Sequence, residues 1–256
     1  MNGIPRGRKP SHGEPVIDRA FRILTAFGPA DRTLSLTALS ARAGLPKPTA
    51  LRIARKLLEW GALERTDDGA YTVGLRLLEV ASLAPRGHGL RETALPYMED
   101  LLHATGQHVI LAVRDGHEAV LIERLSARGA GRVLNRVGGR MPLHSTGVGL
   151  VLLAQAPADV QEEVLASALT IEPEHIYVQA SDLRRRLAAV RHDRFAVVSR
   201  AQPEPMTSVA CAIGDHDREP VAAVSVITRP ERADAAVLTP AVIAVARAIS
   251  RAVRAA

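Results

Sequence analysis

Two helical patterns separated by little more than a Gly-Leu turn constrain this chain most tightly. Leu36 and Leu39 recur at helical spacing in a segment that runs through Ala43. Gly44-Leu45 follows, and Pro46 opens a second periodic run that continues to about Trp60. Ser35 supplies a side-chain acceptor at the start of the first helix. Pro46 suits the start of the second, where a missing N–H has no intrahelical partner to lose. So short a connection makes the two helices turn sharply on each other and share a buried face. Val16, Ala20, Ile23, Leu24 and Phe27 predict an earlier helix over 16–27, stopped by Gly28-Pro29.

An angular count over the second helix of the pair, at about 100° per residue, separates its side chains into two arcs. Lys47, Pro48, Thr49, Arg52, Arg55, Lys56 and Glu59 fall on one; Ala50, Leu51, Ile53, Ala54, Leu57 and Leu58 fill the other. One face packs and the other carries positive charge and a hydroxyl. A helix ~10–12 Å across fits a major groove ~12 Å wide, so the pattern reads as a helix-turn-helix with its second helix reading DNA. The next segment, LERTDDGAYTV at 63–73, holds two short strand-like runs around Asp67-Asp68-Gly69. A hairpin placed there is a wing, with Arg65 in reach of backbone phosphate. The plainer alternative is a solvated basic helix beside an ordinary hairpin.

The charge distribution agrees with the first reading. Residues 1–88 carry 14 basic and 8 acidic side chains, hence +6, whereas the rest carries 19 of each. The Gly/Pro/Arg-rich arm at 1–15 contains Arg6 and Arg8, which could follow a narrow minor groove. A basic tail adding only salt-dependent attraction is the favoured reading of that arm. Apolar residues make up 47% of the chain and aromatics 3%, so the core is aliphatic. The lone Cys211 excludes an internal disulfide and fits a reducing compartment. No apolar run reaches the ~18 residues of a membrane span, and the first residues lack a secretory h-region. A cytoplasmic protein without membrane contact is therefore expected. No metal-ligand spacing links the nine His to Cys211, and no cofactor is expected.

Beyond a connecting helix at 75–83 and the cluster Pro85-Arg86-Gly87-His88-Gly89, the pattern becomes α+β. A helix is predicted at 90–104, strands at 108–113 and 119–125, another at 132–137, and a second pair at 209–213 and 221–227. Further helices are predicted near 146–155, 158–168, 181–192 and 235–254. The segment 139–149, GRMPLHSTGVG, is the most unusual. Ser145 and Thr146 can cap the following helix, and the glycines let a ligand approach its free N–H groups. Three readings compete: a site for a small polar or anionic molecule, a Ser145 nucleophile with a remote histidine, and a plain cap. No GxSxG elbow or ordered triad partner supports catalysis, so no catalytic residue is assigned.

Leu34-Ser35-Leu36-Thr37, Ala43-Gly44-Leu45-Pro46-Lys47-Pro48-Thr49, residues 63–73 and Pro142-Leu143-His144-Ser145-Thr146-Gly147-Val148-Gly149 together resemble the isocitrate lyase regulator (IclR) family of bacterial transcription factors, over about 16–254. The resemblance implies a winged helix-turn-helix at 16–73, a linker helix at 74–88, and a GAF- or profilin-like effector-binding and oligomerisation domain with an antiparallel sheet at 89–256. It implies homodimers, in places paired into tetramers, that bind double-stranded operator DNA under small-molecule control. The DNA-reading positions that match are Lys47, Pro48, Thr49, Arg52 and Lys56; Arg55, Ser35, Arg65, Arg6 and Arg8 complete the candidate set. The family's effector pocket matches Val133, Met141, Gly147, Val148, Val198, Met206, Ser208 and Ser225, to which Ser145 and Arg200 are added. Departures are Pro48 for a usual Ser, Val198-Ser199-Arg200-Ala201 for an acidic stretch, Ser208 for a common Cys, and Leu150 for a Lys. They favour an apolar or aromatic ligand whose anionic end meets Arg140, Arg200 or the helix amides. The runner-up is a serine-dependent hydrolase or transferase with an accessory DNA-binding module; a purely architectural DNA binder is a third.

Overall fold

The computed structural model describes residues 15–84, 86–131, 133, 135–167, 169–171, 176–201, 204–214 and 220–255, so Arg6 and Arg8 of the arm lie outside it. The chain divides into two compact units, Met1–Ala84 and Pro85–Ala256.

The first unit contains α1 (Val16–Thr25), β1 (Thr33–Leu34), α2 (Leu36–Ala43), α3 (Lys47–Trp60), β2 (Leu63–Arg65), β3 (Tyr71–Val73) and α4 (Leu75–Ser82). Helix α1 stops before the expected Phe27, because the Ala26 N–H turns to the Ile23 carbonyl and tightens the last turn. The Ser35 hydroxyl accepts from the Ala38 N–H at 3.2 Å and caps α2. Gly44 closes α2 at φ 59°, its N–H on the Ala41 carbonyl, and Arg22 donates to the Gly44 carbonyl at 2.9 Å. β1 was not foreseen: two residues are too few to show an alternation. It pairs antiparallel with β3, giving a sheet ordered β1-β3-β2. Ile23, Leu39, Leu63 and Tyr71 fill the core of this unit.

The second unit contains α5 (His88–Thr105), β4 (His108–Asp115), β5 (Glu118–Leu125), β6 (Arg140–Pro142), α6 (Gly147–Ala154), α7 (Ala158–Ala166), β7 (Thr170–Ile171), β8 (Ile176–Tyr177), α8 (Ala180–Asp193), β9 (Phe195–Arg200), β10 (Met206–Ile213), β11 (Ala222–Thr228), a short 3-10 turn at Pro230–Arg232, and α9 (Ala235–Ala255). Six strands form one antiparallel sheet in the order β6-β5-β4-β11-β10-β9. The two-residue alternation of each strand sends its side chains to two separate cores. Val109, Leu111, Val209, Val224 and Val226 pack under α5 and α9. Ile110, Ala112, Ala210 and Ala223 pack under α6, α7 and α8. Every residue of α6 is buried, so its sequence shows no polar face.

The strand expected at 132–137 is not formed by the described residues there. Arg124 Nη1 donates to the carbonyls of Val133 (3.0 Å) and Asn135 (2.6 Å), so a side chain takes the acceptors that a ladder would need. The strand lies later, at β6, where Met141 pairs with Ala119. α9 is long and apolar enough to cross a membrane by length and composition. In this fold it buries Leu238, Val242, Ala246 and Ile249 against the sheet.

Candidate nucleic-acid interface and ligand cavity

Helix α3 presents the two arcs that its periodicity predicts. Ala50, Ile53 and Ala54 are buried, whereas Lys47, Pro48, Arg52, Arg55 and Lys56 are exposed and Thr49 is half-buried at the boundary. Pro48 lies in the first turn and removes one N–H from the helix start. Lys56 pairs with Glu59 at 2.7 Å on the open surface, an interaction weak enough in water to yield to a phosphate. Two expected contacts have structural roles as well. Ser35 is the α2 cap, and Arg65 folds back on the wing, its guanidinium 5.0 Å above the Tyr71 ring and donating to the Tyr71 hydroxyl at 2.9 Å. Arg42, on α2, is held by Asp31 and by the Ala26 carbonyl, which ties it to the α1–α2 connection.

In the second unit, a cavity of about 90 Å³ opens beside the start of α6. Its walls bring together Val133, Met141, Ser145, Gly147, Val148, Val198, Arg200, Met206, Ser208 and Ser225, all ten residues expected there. Ile110, Asn135, Thr146 and Ile227 complete it. Ile110 and Ile227 sit on β4 and β11, and only the pleat of the assembled sheet shows that they face this side. Thr146, not Ser145, caps α6: its hydroxyl accepts from the Gly149 N–H at 3.0 Å and donates to the Pro142 carbonyl at 2.8 Å. Ser145 is left lining the cavity, with no hydrogen bond to a histidine among the described residues. A Cβ on Gly147 would lie 2.6 Å from Ser208 Oγ, which sets how closely α6 approaches β10.

Arg200 is the only charged residue in the wall, and it makes no ion pair among the described residues. Arg140, the other cation considered, is outside the cavity. It donates to Asp115 at 2.6 Å and to Glu118 at 3.2 Å, and these carboxylates raise its pKa. Its charge is thus already met. Cys211 is on the opposite side of β10 from Ser208 and Ala210, facing α9. Burial pushes its thiol up to about 11, so it is protonated near neutrality. No group of three His, Cys, Asp or Glu able to hold a metal occurs among the described residues.

Comparison with known proteins agrees with this geometry. The IclR helix-turn-helix domain matches residues 16–67, and the C-terminal domain of bacterial IclR transcriptional regulators matches residues 84–253. The transcriptional regulator XynR of Escherichia coli is 28% identical over 87% of this chain and 89% of its own length. The transcriptional repressor IclR of the same organism is 26% identical over 86% and 85%. Among solved structures, an IclR homologue from Microbacterium hydrocarbonoxydans complexed with 4-hydroxybenzoate superposes with a TM-score of 0.87 at 31% identity, covering 94% of this chain and all of that one. The IclR of Thermotoga maritima gives 0.72 at 26% identity over 92% and 97%. This chain belongs to the IclR family of bacterial transcriptional regulators, with a helix-turn-helix DNA-binding domain followed by an effector domain.

Proposed function

We propose that the protein binds operator DNA as a homodimer, with α3 in the major groove, and that a single-ring organic acid in the α6 cavity sets its affinity for that DNA. Lys47, Arg52, Arg55 and Lys56 supply the phosphate and base contacts, and Thr49 a hydroxyl at the helix start. The observation that carries the ligand class is the wall of the cavity. Its apolar sides (Val133, Met141, Val148, Val198, Met206) carry one cation, Arg200, without an ion pair among the described residues, and the serines Ser145, Ser208 and Ser225 share the wall. An apolar slot with one guanidinium suits a ring bearing a carboxylate, because charge-assisted bonds to a fork of donors are the strong ones. The volume suits a ligand of about one ring. The 4-hydroxybenzoate complex of the similar Microbacterium protein supports the same class.

Self-association is supported by apolar surface that the first unit leaves uncovered. Val16, Ile17 and Phe21 on α1 are more than half exposed, and α4 buries no residue while exposing Leu75 and Leu78 at 63% each. Such faces seek a partner copy. Calorimetric titration tests the ligand class. 4-Hydroxybenzoate is expected to bind, glycerol not, and Arg200→Ala to weaken the acid about 10- to 100-fold. Binding of the polyol alone would overturn the assignment.

A further inference from the structure

Helix α4 is the last element of the first unit, and none of its eight residues is fully buried. A helix that short does not hold together in water on its own backbone bonds, and no packed side chain pins it. Its first turn, however, is tied to the end of α3. We propose that Glu64 and Trp60 are positioning residues: they fasten α4 to the DNA-reading helix, so that pairing of two copies through α4 fixes the spacing of their two α3 helices, a role that rests on the dimeric, DNA-binding reading above.

The first tie is a close approach of backbone. Gly74 precedes α4 with φ −84°, a conformation any residue adopts, so backbone freedom does not call for glycine there. Space does. A Cβ on Gly74 would lie 2.2 Å from the carbonyl oxygen of Gly61, the left-handed residue that caps α3. The Gly74 N–H donates to the Ala62 carbonyl at 2.9 Å. The end of one helix thus touches the start of the other, and a glycine that could have served as a swivel serves as a point of contact.

The second tie is a borrowed cap. Gly74 has no side chain with which to cap α4. The carboxylate of Glu64, on β2, does so instead, its Oε1 accepting from the Leu75 N–H at 2.8 Å. A carboxylate there also meets the positive end of the helix dipole. The third tie is a ring contact. Arg76, in the first turn of α4, holds its guanidinium 5.2 Å from the ring centre of Trp60, the last residue of α3. The Arg76 Cβ is 3.3 Å from where a Cβ on Gly61 would stand, so the same side chain covers the α3 cap. These ties come from α3, from β2 and from the turn between them, and they meet at Gly74, Leu75 and Arg76.

The consequence follows from the other face of α4. Leu75 and Leu78 are the exposed side chains that seek a partner copy. With α4 fastened to α3, that pairing sets the separation and phase of the two reading helices, and so the half-site spacing that DNA has to offer. A loosely hung α4 would accept several spacings, each with lower affinity.

Hydrogen exchange on the free full chain tests the fastening without DNA. The amides of α4 are expected to exchange at least about 10-fold more slowly in the wild type than in Glu64→Ala/Trp60→Leu, with those of α3 unaltered. Glu64→Gln removes the same charge but keeps an acceptor, and is expected to retain wild-type protection. Spacing is then read with the duplex that the wild type selects from a random pool, the same duplex lengthened by about five base pairs (half a helical turn) between its half-sites, and a duplex holding one half-site. The wild type and Glu64→Gln are expected to prefer the selected spacing by at least about 10-fold and the double variant by no more than about 3-fold, while all three bind the single half-site alike. Exchange of α4 as fast in the wild type as in the double variant, Glu64→Gln behaving like the double variant, or a spacing preference untouched by loss of both side chains would overturn the proposal. A wild type that selects no duplex would overturn the operator reading and with it the role in spacing; the exchange result would still decide whether α4 is fastened to α3.

Discussion

Arg140, two residues before the Pro142–Gly149 signature, and Arg200, at the end of β9, carry the same charge in different surroundings. Arg140 is engaged by Asp115 and Glu118 from the neighbouring hairpin, whereas Arg200 lines the cavity with no carboxylate partner among the described residues. Sequence offered both as anchors for an anion, because the partners that neutralise Arg140 are more than twenty positions away and are brought close only by the pairing of β5 with β6. Exposure on α3 was easier to read, since one helix fixes its own faces. Lys47 and Arg52 stand on the open arc with no ion pair among the described residues. Lys47→Ala/Arg52→Ala should therefore weaken operator binding and lower the slope of log K against log salt by about 2 units, read by fluorescence anisotropy from low to moderate salt. An unchanged slope would move the phosphate contacts to the wing or arm.

Elements with a strong period were legible and those without were not. α2, α3 and the β4–β5 and β10–β11 pairs appear where alternation or helical spacing places them, because each has a core face on one side. β1 is too short to show a pattern, and the expected strand at 132–137 fails because Arg124 captures its carbonyls. The cavity was legible residue by residue only through family resemblance; the inward turn of Ile110 and Ile227 needed the sheet. The turn between α2 and α3 carries a prediction of its own. Gly44 adopts φ 59°, and a Cβ there would lie 2.4 Å from Arg22 Nη2, which bonds the same residue's carbonyl. Gly44→Ala should cost the DNA-binding unit about 1–2 kcal/mol in denaturant unfolding, with the effector unit's transition unmoved. A neutral result would mean that the turn relaxes without the left-handed residue.

At the scale of the molecule, the chain places most of its net positive charge in the first unit and its ligand cavity in the second, and the apolar faces of α1 and α4 give the first unit a reason to pair. Leu75→Glu/Leu78→Glu should shift the protein toward monomer in sedimentation velocity and weaken operator binding. A dimer that survives intact would assign self-association to the effector unit alone. A ligand in that cavity can change the affinity for DNA only through a difference in its own affinity for two arrangements of the protein, since equal binding to both would shift nothing. Couplings of this kind are typically about 5- to 150-fold. The decisive measurement is the operator dissociation constant with and without saturating 4-hydroxybenzoate, in the wild-type protein and in Arg200→Ala. A shift of at least about 5-fold is expected in the wild type, in either direction, and, at a 4-hydroxybenzoate concentration that just saturates the wild type, a clearly smaller one in Arg200→Ala, whose affinity for DNA without ligand stays at the wild-type value. An operator affinity indifferent to the acid in the wild type, or a shift of equal size in Arg200→Ala, would contradict this account.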